Sequence, residues 1–169
     1  MKTLETVLDD APETLKVYEK ELVGRVREHG WQTTSVLGEE SPAFSYTTGF
    51  WWTLKHPELL VFDFPPQLAH DVFGQVMREL QAGRELPLGE PIGGIIAGEN
   101  IYLFPVRPAA AAEYLLSSRW FYKKSEFPTV QLVWADQQGH FPWQKGFDEK
   151  LAGKQPDLSE TNWMNELRG

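Results

Sequence analysis

The run Leu59 to Phe64 (LLVFDF), with Asp63 its one polar residue, is apolar toward both sides of an extended chain and stops at Pro65-Pro66. A strand that is hydrophobic on both faces needs cover on both, and proline cannot continue a hydrogen-bonded ladder. The run therefore reads as a short central strand, and the rest of the chain has to supply its neighbours and its two covering layers. Pro66 suits the first turn of a helix in which Leu68, Val72, Val76 and Leu80 form one stripe before the break at Gly83, which provides one such layer.

The remaining elements follow from periodicity. After Asp10, with Pro12 in the first turn and Glu13 at capping-box spacing, Leu15, Tyr18, Leu22 and Val26 recur at steps of three and four, an amphipathic helix that ends at Gly30. Residues Trp31 to Leu37 and Ala43 to Phe50 are β-branched and aromatic around the turn-forming GEESP, and read as a hairpin. A second hairpin joins Ile92–Ile96 to Ile101–Val106 through AGEN, whose Gly and Asn tolerate positive φ. Ala109 to Leu116 favours helix, and Thr129 to Trp134 (TVQLVW) alternates as a last strand. The sum is an α+β fold: an antiparallel sheet built from hairpins, packed by two or three helices. One domain is expected over residues 1–146, with a loosely ordered tail over 147–169.

Composition narrows the function classes. The chain has 169 residues, enough to bury a single core, and its 13% aromatics argue against disorder. It has no Cys, which excludes disulfides, thiolate metal sites and cysteine nucleophiles, and suits a reducing compartment. No secretory signal or membrane-length apolar run is read, so a cytoplasmic protein is expected, without a membrane partner. Sixteen Lys+Arg against 24 Asp+Glu give a net charge of -8, which repels phosphate backbones and makes nucleic acid an unsuitable ligand. The same charge suits a basic protein partner, although solubility is the favoured explanation.

Motifs for dinucleotides, nucleotides, zinc proteases and serine hydrolases are absent. The four histidines have no i,i+4 pairing, so no metal and no cofactor is expected. His29 precedes the helix-ending Gly30, where a cation favours the helix dipole, and His70 lies on the flank of a helical stripe; both read as structural. His56 is different, because it sits with Glu58 around Pro57 at the start of the central strand. That pair suits acid/base or ligand-gripping chemistry; the favoured alternative is a turn histidine bonded to backbone, the usual partner of side-chain hydrogen bonds. Aromatics form a second constellation, with Trp51 and Trp52 expected on opposite sides of a continuing strand and one of them exposed. An exposed indole near Arg119 would anchor a partner.

Three features carry a resemblance: Gly30-Trp31 after the first helix, the F-x-Y-T-x-G strand running into H-P-E-L, and the late Q-L-V-W-x-D-x-x-G-x-F-P-W stretch. Together they span about residues 30 to 147, and the chain resembles the bacterial domain-of-unknown-function family 4262 (DUF4262). Matching positions are Tyr46, Gly49, His56, Pro57, Glu58, Gln131, Trp134, Asp136, Gly139 and Trp143, while Ala135 stands where Pro is expected. The resemblance implies a small cytosolic α+β domain and supplies no reaction. In the late stretch, Trp134 is expected to end a strand, Asp136 to start a turn closed by Gly139, and Phe141-Pro142-Trp143 to fold back over the sheet.

The expected function is a non-catalytic binding protein, in its most concrete form a protein-partner role of toxin-neutralising, immunity type. The alternative is a small-ligand binder or enzyme with a pocket near Tyr46, His56 and Glu58, reaching Gln131 and Asp136. Candidate binding residues are Tyr46, Trp51, Trp52, His56, Glu58, Arg119, Gln131, Trp134 and Asp136, with no catalytic residue assigned.

Overall fold

In the computed structural model, which describes residues 4–168, the central strand is Glu58–Phe62 (β3), buried at every position. Its neighbours are Phe44–Thr48 (β2), antiparallel, and Thr129–Trp134 (β6), parallel. Gln32–Val36 (β1) pairs outside β2, while Glu99–Pro105 (β5) and then Ile92–Ile96 (β4) continue beyond β6, giving the order β1-β2-β3-β6-β5-β4. Both expected hairpins are present, and the α+β sheet is mostly antiparallel. The parallel β3–β6 pair is the exception. It arises because β6 returns to the middle of the sheet in the same direction as β3, setting Glu58 opposite Thr129 and Leu60 opposite Gln131.

Alternation along β3 divides the core. Leu59 and Val61 pack with Val130, Leu132, Ile101 and Leu103 beneath the helix Pro66–Gln81. That helix buries Ala69, Val72, Phe73, Val76 and Met77, so its stripe is rotated from the expected one and Leu68 is 42% exposed. Leu60 and Phe62 face the opposite layer, formed by Pro108–Tyr114 and Leu116–Phe121. Each large apolar side chain so enclosed contributes roughly 1.5–3 kcal/mol. With β3 sealed on both faces, any polar group it carries must find its partners inside the protein.

The first helix runs over Val17–His29, later than the sequence suggests: Pro12–Thr14 is only a 3-10 turn, and the Lys16 amide donates to the Glu19 carboxylate to start the helix proper. It ends at Gly30 in the left-handed region, as expected. Three short helices were not legible, Phe50–Leu54, Leu116–Phe121 and Trp163–Glu166, which takes the helices beyond two or three. None of the described helices is long and apolar enough to cross a membrane.

Residues 147–168 are not a loose tail. The Gln155 carboxamide accepts from the Trp134 amide at 2.9 Å and donates to its carbonyl at 3.0 Å, replacing a neighbouring strand. Pro156 accepts from Gln131, Leu158 from the Arg107 amide, and Gly89 from Arg168, while Trp163 is buried against Phe104. The segment is a strap across the second face of the sheet. Few of its residues are apolar, which is why hydrophobic patterning does not reveal it.

Candidate functional site

The chain leaves β2 at Gly49, whose φ of 118° belongs to the left-handed side of the map. A Cβ there would lie 2.4 Å from the Gly30 carbonyl oxygen and 2.8 Å from Trp31 Cα, so both conformation and space require glycine. The turn starts the helix Phe50–Leu54 instead of extending the strand, so Trp51 and Trp52 do not alternate across a sheet. A helix start leaves amides without internal partners. Glu58, fully buried at the beginning of β3, supplies them.

Its carboxylate accepts five hydrogen bonds. Oε1 receives the Thr47 hydroxyl at 2.7 Å and the Phe50 amide at 3.1 Å; Oε2 receives the Gly49 and Trp51 amides at 3.1 Å and the Tyr122 hydroxyl at 2.5 Å. Tyr122 in turn accepts from the Trp52 amide at 3.0 Å, and Thr47 from the Leu59 amide at 2.9 Å. Burial pushes the Glu58 carboxyl above the usual glutamate range, and the bonds from Tyr122, Thr47, Trp51 and Gly49 pull against that rise. Burial, followed by the charge of Glu58, pushes the Tyr122 phenol far up, so the shared proton stays on Tyr122. This carboxylate ties β2, β3, a helix start and the helix Leu116–Phe121 together at one point.

His56 does not join it. Its Nδ1 lies 2.8 Å from the Pro57 carbonyl, which can only accept, so Nδ1 carries the proton. The ring packs edge-on to Phe50, and burial depresses its basicity more than the Pro57 bond restores it. No bond links His56 to Glu58; the imidazole locks the turn while the carboxylate points elsewhere. Tyr46 is also interior, its hydroxyl accepting from the Ser117 amide at 2.9 Å.

The other candidates scatter. Gln131 is buried with its Nε2 on Pro156, and its Oε1 has no partner. Trp134 donates from Nε1 to the Phe62 carbonyl at 2.9 Å, which ties β6 to the end of β3. Asp136 starts the expected turn, accepting from the amides of Gln138, His140 and Asp148, each at 2.9 Å. Burial pushes its carboxyl up, but those three amides and the His140 ring outweigh it and hold it below the usual range. Phe141 and Trp143 fold back onto Tyr102 and Phe104. Trp51 is half-buried with the Lys55 ammonium 5.4 Å from its ring, and Trp52 is 39% exposed.

Among the candidates, Arg119 lines a cleft of about 480 Å³ between Pro108–Tyr114, Leu116–Phe121 and the loop 123–128. Two smaller clefts, of about 180 and 350 Å³, lie by His29 and His70 and by Asp136. Tyr46, His56 and Glu58 line none of the three. The sequence did not reveal Tyr122 or Lys124, because the first meets Glu58 across 64 positions and the second reaches the cleft through a loop with no periodic signal.

A comparison with protein families fits this chain to one of them, "Domain of unknown function (DUF4262)", over residues 25–148. The chain belongs to this family. The DUF4262 match takes in Glu58 with all five of its donors, His56 and the large cleft, and ends before most of the strap. No curated protein and no solved structure matches the chain.

Proposed function

We propose that this chain is a non-catalytic binding protein whose partner is another protein, with neutralisation of a basic toxin as its most concrete form. The observation that carries the reading is the edge strand β1. Its outer side has no backbone partner among the described residues, and it runs into a hairpin tip where Leu37 is 79% exposed beside Glu39 and Glu40. An open edge offers amides and carbonyls to an incoming strand, and acidic residues beside it favour a basic one. The net charge of -8 adds long-range attraction for such a partner. The main carboxylate–phenol constellation is committed to the fold, which leaves it no acid/base role toward a ligand.

The test is affinity capture from the source cell with the wild type and with the double variant Ser35→Pro/Leu37→Asp, the proline removing an amide that faces away from β2. The reading expects a basic protein retained by the wild type, lost from the variant and released by high salt. Equal capture by both, or capture of no protein by the wild type, would count against it.

A further inference from the structure

We infer that the cleft between Pro108–Tyr114, Leu116–Phe121 and the loop 123–128 is a binding site for a small monocarboxylate with an apolar body. Its existence follows from the sequence PAAAAEY: Ala111 and Ala112 offer only methyl groups toward the space, and Phe127 and Pro128 form the facing wall without filling it. A volume of about 480 Å³ falls within the range of small-molecule sites. Such walls suit a hydrocarbon body.

The polar end is set by Arg119 and Lys124. The chain reverses after Tyr122 through two consecutive left-handed residues, Lys123 (φ 53°) and Lys124 (φ 63°), and the Lys124 amide donates to the Arg119 carbonyl at 2.9 Å. The reversal separates the two lysines: the Lys123 ammonium is 2.7 Å from Asp10, while Lys124 lines the cleft with Arg119. Neither Arg119 nor Lys124 has an acidic partner within ion-pair distance among the described residues. In a chain of net charge -8, two cations without ion-pair partners against the single carboxylate of Glu126 leave this cleft net positive, a local reversal of sign.

Arginine's planar fork matches a carboxylate, and lysine adds a point charge. Glu126, on the same cleft, disfavours a second negative charge, so a monoanion fits better than a phosphate dianion. The site uses none of β1 and requires no protein partner, so it stands or falls separately from the binding role proposed above.

The full chain, labelled with nitrogen-15, would be titrated with 4-phenylbutyrate and separately with its neutral counterpart 4-phenylbutan-1-ol. The acid should give saturable amide shifts centred on residues 111–128, and the alcohol should bind at least about tenfold more weakly, roughly 1.4 kcal/mol. Arg119→Gln/Lys124→Gln should bring the acid down to the alcohol's affinity with an unchanged unfolding midpoint, since both side chains are exposed. Ala112→Phe, which fills the space, should abolish binding of both. The proposal is overturned if acid and alcohol bind equally, if the acid gives no saturable shifts at these residues, or if the double variant binds the acid like the wild type.

Discussion

Replacing Glu58 by glutamine changes almost no volume but turns one acceptor oxygen into a donor. Either orientation of the amide fails. With its oxygen at the Oε2 position, the new NH₂ faces the Phe50 amide and the Thr47 hydroxyl; the hydroxyl can turn, but the amide is orphaned. With its oxygen at the Oε1 position, the Gly49 and Trp51 amides are both orphaned. The first arrangement is cheaper. One buried unsatisfied amide costs about 1–3 kcal/mol, and the surviving bonds lose their charge assistance; relief from burying a charge offsets part of this, for a net loss of about 2–4 kcal/mol. Urea unfolding followed by tryptophan fluorescence, for which the chain has seven reporters, measures it directly. Glu58→Ala, which orphans all five donors, should lose more. If Glu58→Gln unfolds within about 0.5 kcal/mol of the wild type, the bond inventory has been misread.

Three further outcomes are expected. Gly49→Ala should fail to accumulate as folded protein or lose several kcal/mol, because its Cβ collides with the Gly30 carbonyl; circular dichroism and solubility report it. Trp163→Ala should cost about 3–5 kcal/mol in chemical unfolding, and truncation after Gly146 at least as much, whereas a loose tail would leave the midpoint unchanged. The His56 ring should titrate below its ordinary 6.5 in a proton NMR titration. Because the unfolded chain takes up that proton more readily, this contribution to stability is fully present above pH 6.5 and is lost as the pH falls through 6.5 toward the folded value. A His56 midpoint at or above 6.5 would contradict the buried, Pro57-bonded ring.

What the sequence made legible was local. Leu59–Phe64 names the central strand because its surroundings are written in its own side chains, and Gly30 ends the first helix because only a residue at ease with positive φ can do so. The parallel β3–β6 pairing was not legible, since hydrophobic alternation fixes which face a residue occupies and is silent about its neighbour's direction. Pro57 drew attention to His56 and Glu58 as a pair, yet only Glu58 belongs to the strand, while His56 precedes it and turns its ring back onto the Pro57 carbonyl. The true partners of Glu58 are amides that any residue supplies and a tyrosine 64 positions away. The strap escaped notice because its attachment is polar, through Gln155 and Pro156 and not through an apolar stripe. Arg119 was singled out for company with an exposed indole; its cleft instead contains Lys124 and Phe127.

Hydrogen–deuterium exchange at the backbone amides of Gly49, Phe50 and Trp51 interrogates the buried carboxylate most directly, because those three protons point at it. If Glu58 braces the fold, they should exchange only as slowly as global unfolding permits. Exchange at the pace of the exposed hairpin tip would mean that the carboxylate opens to solvent in the native state, and the account would be wrong at its centre.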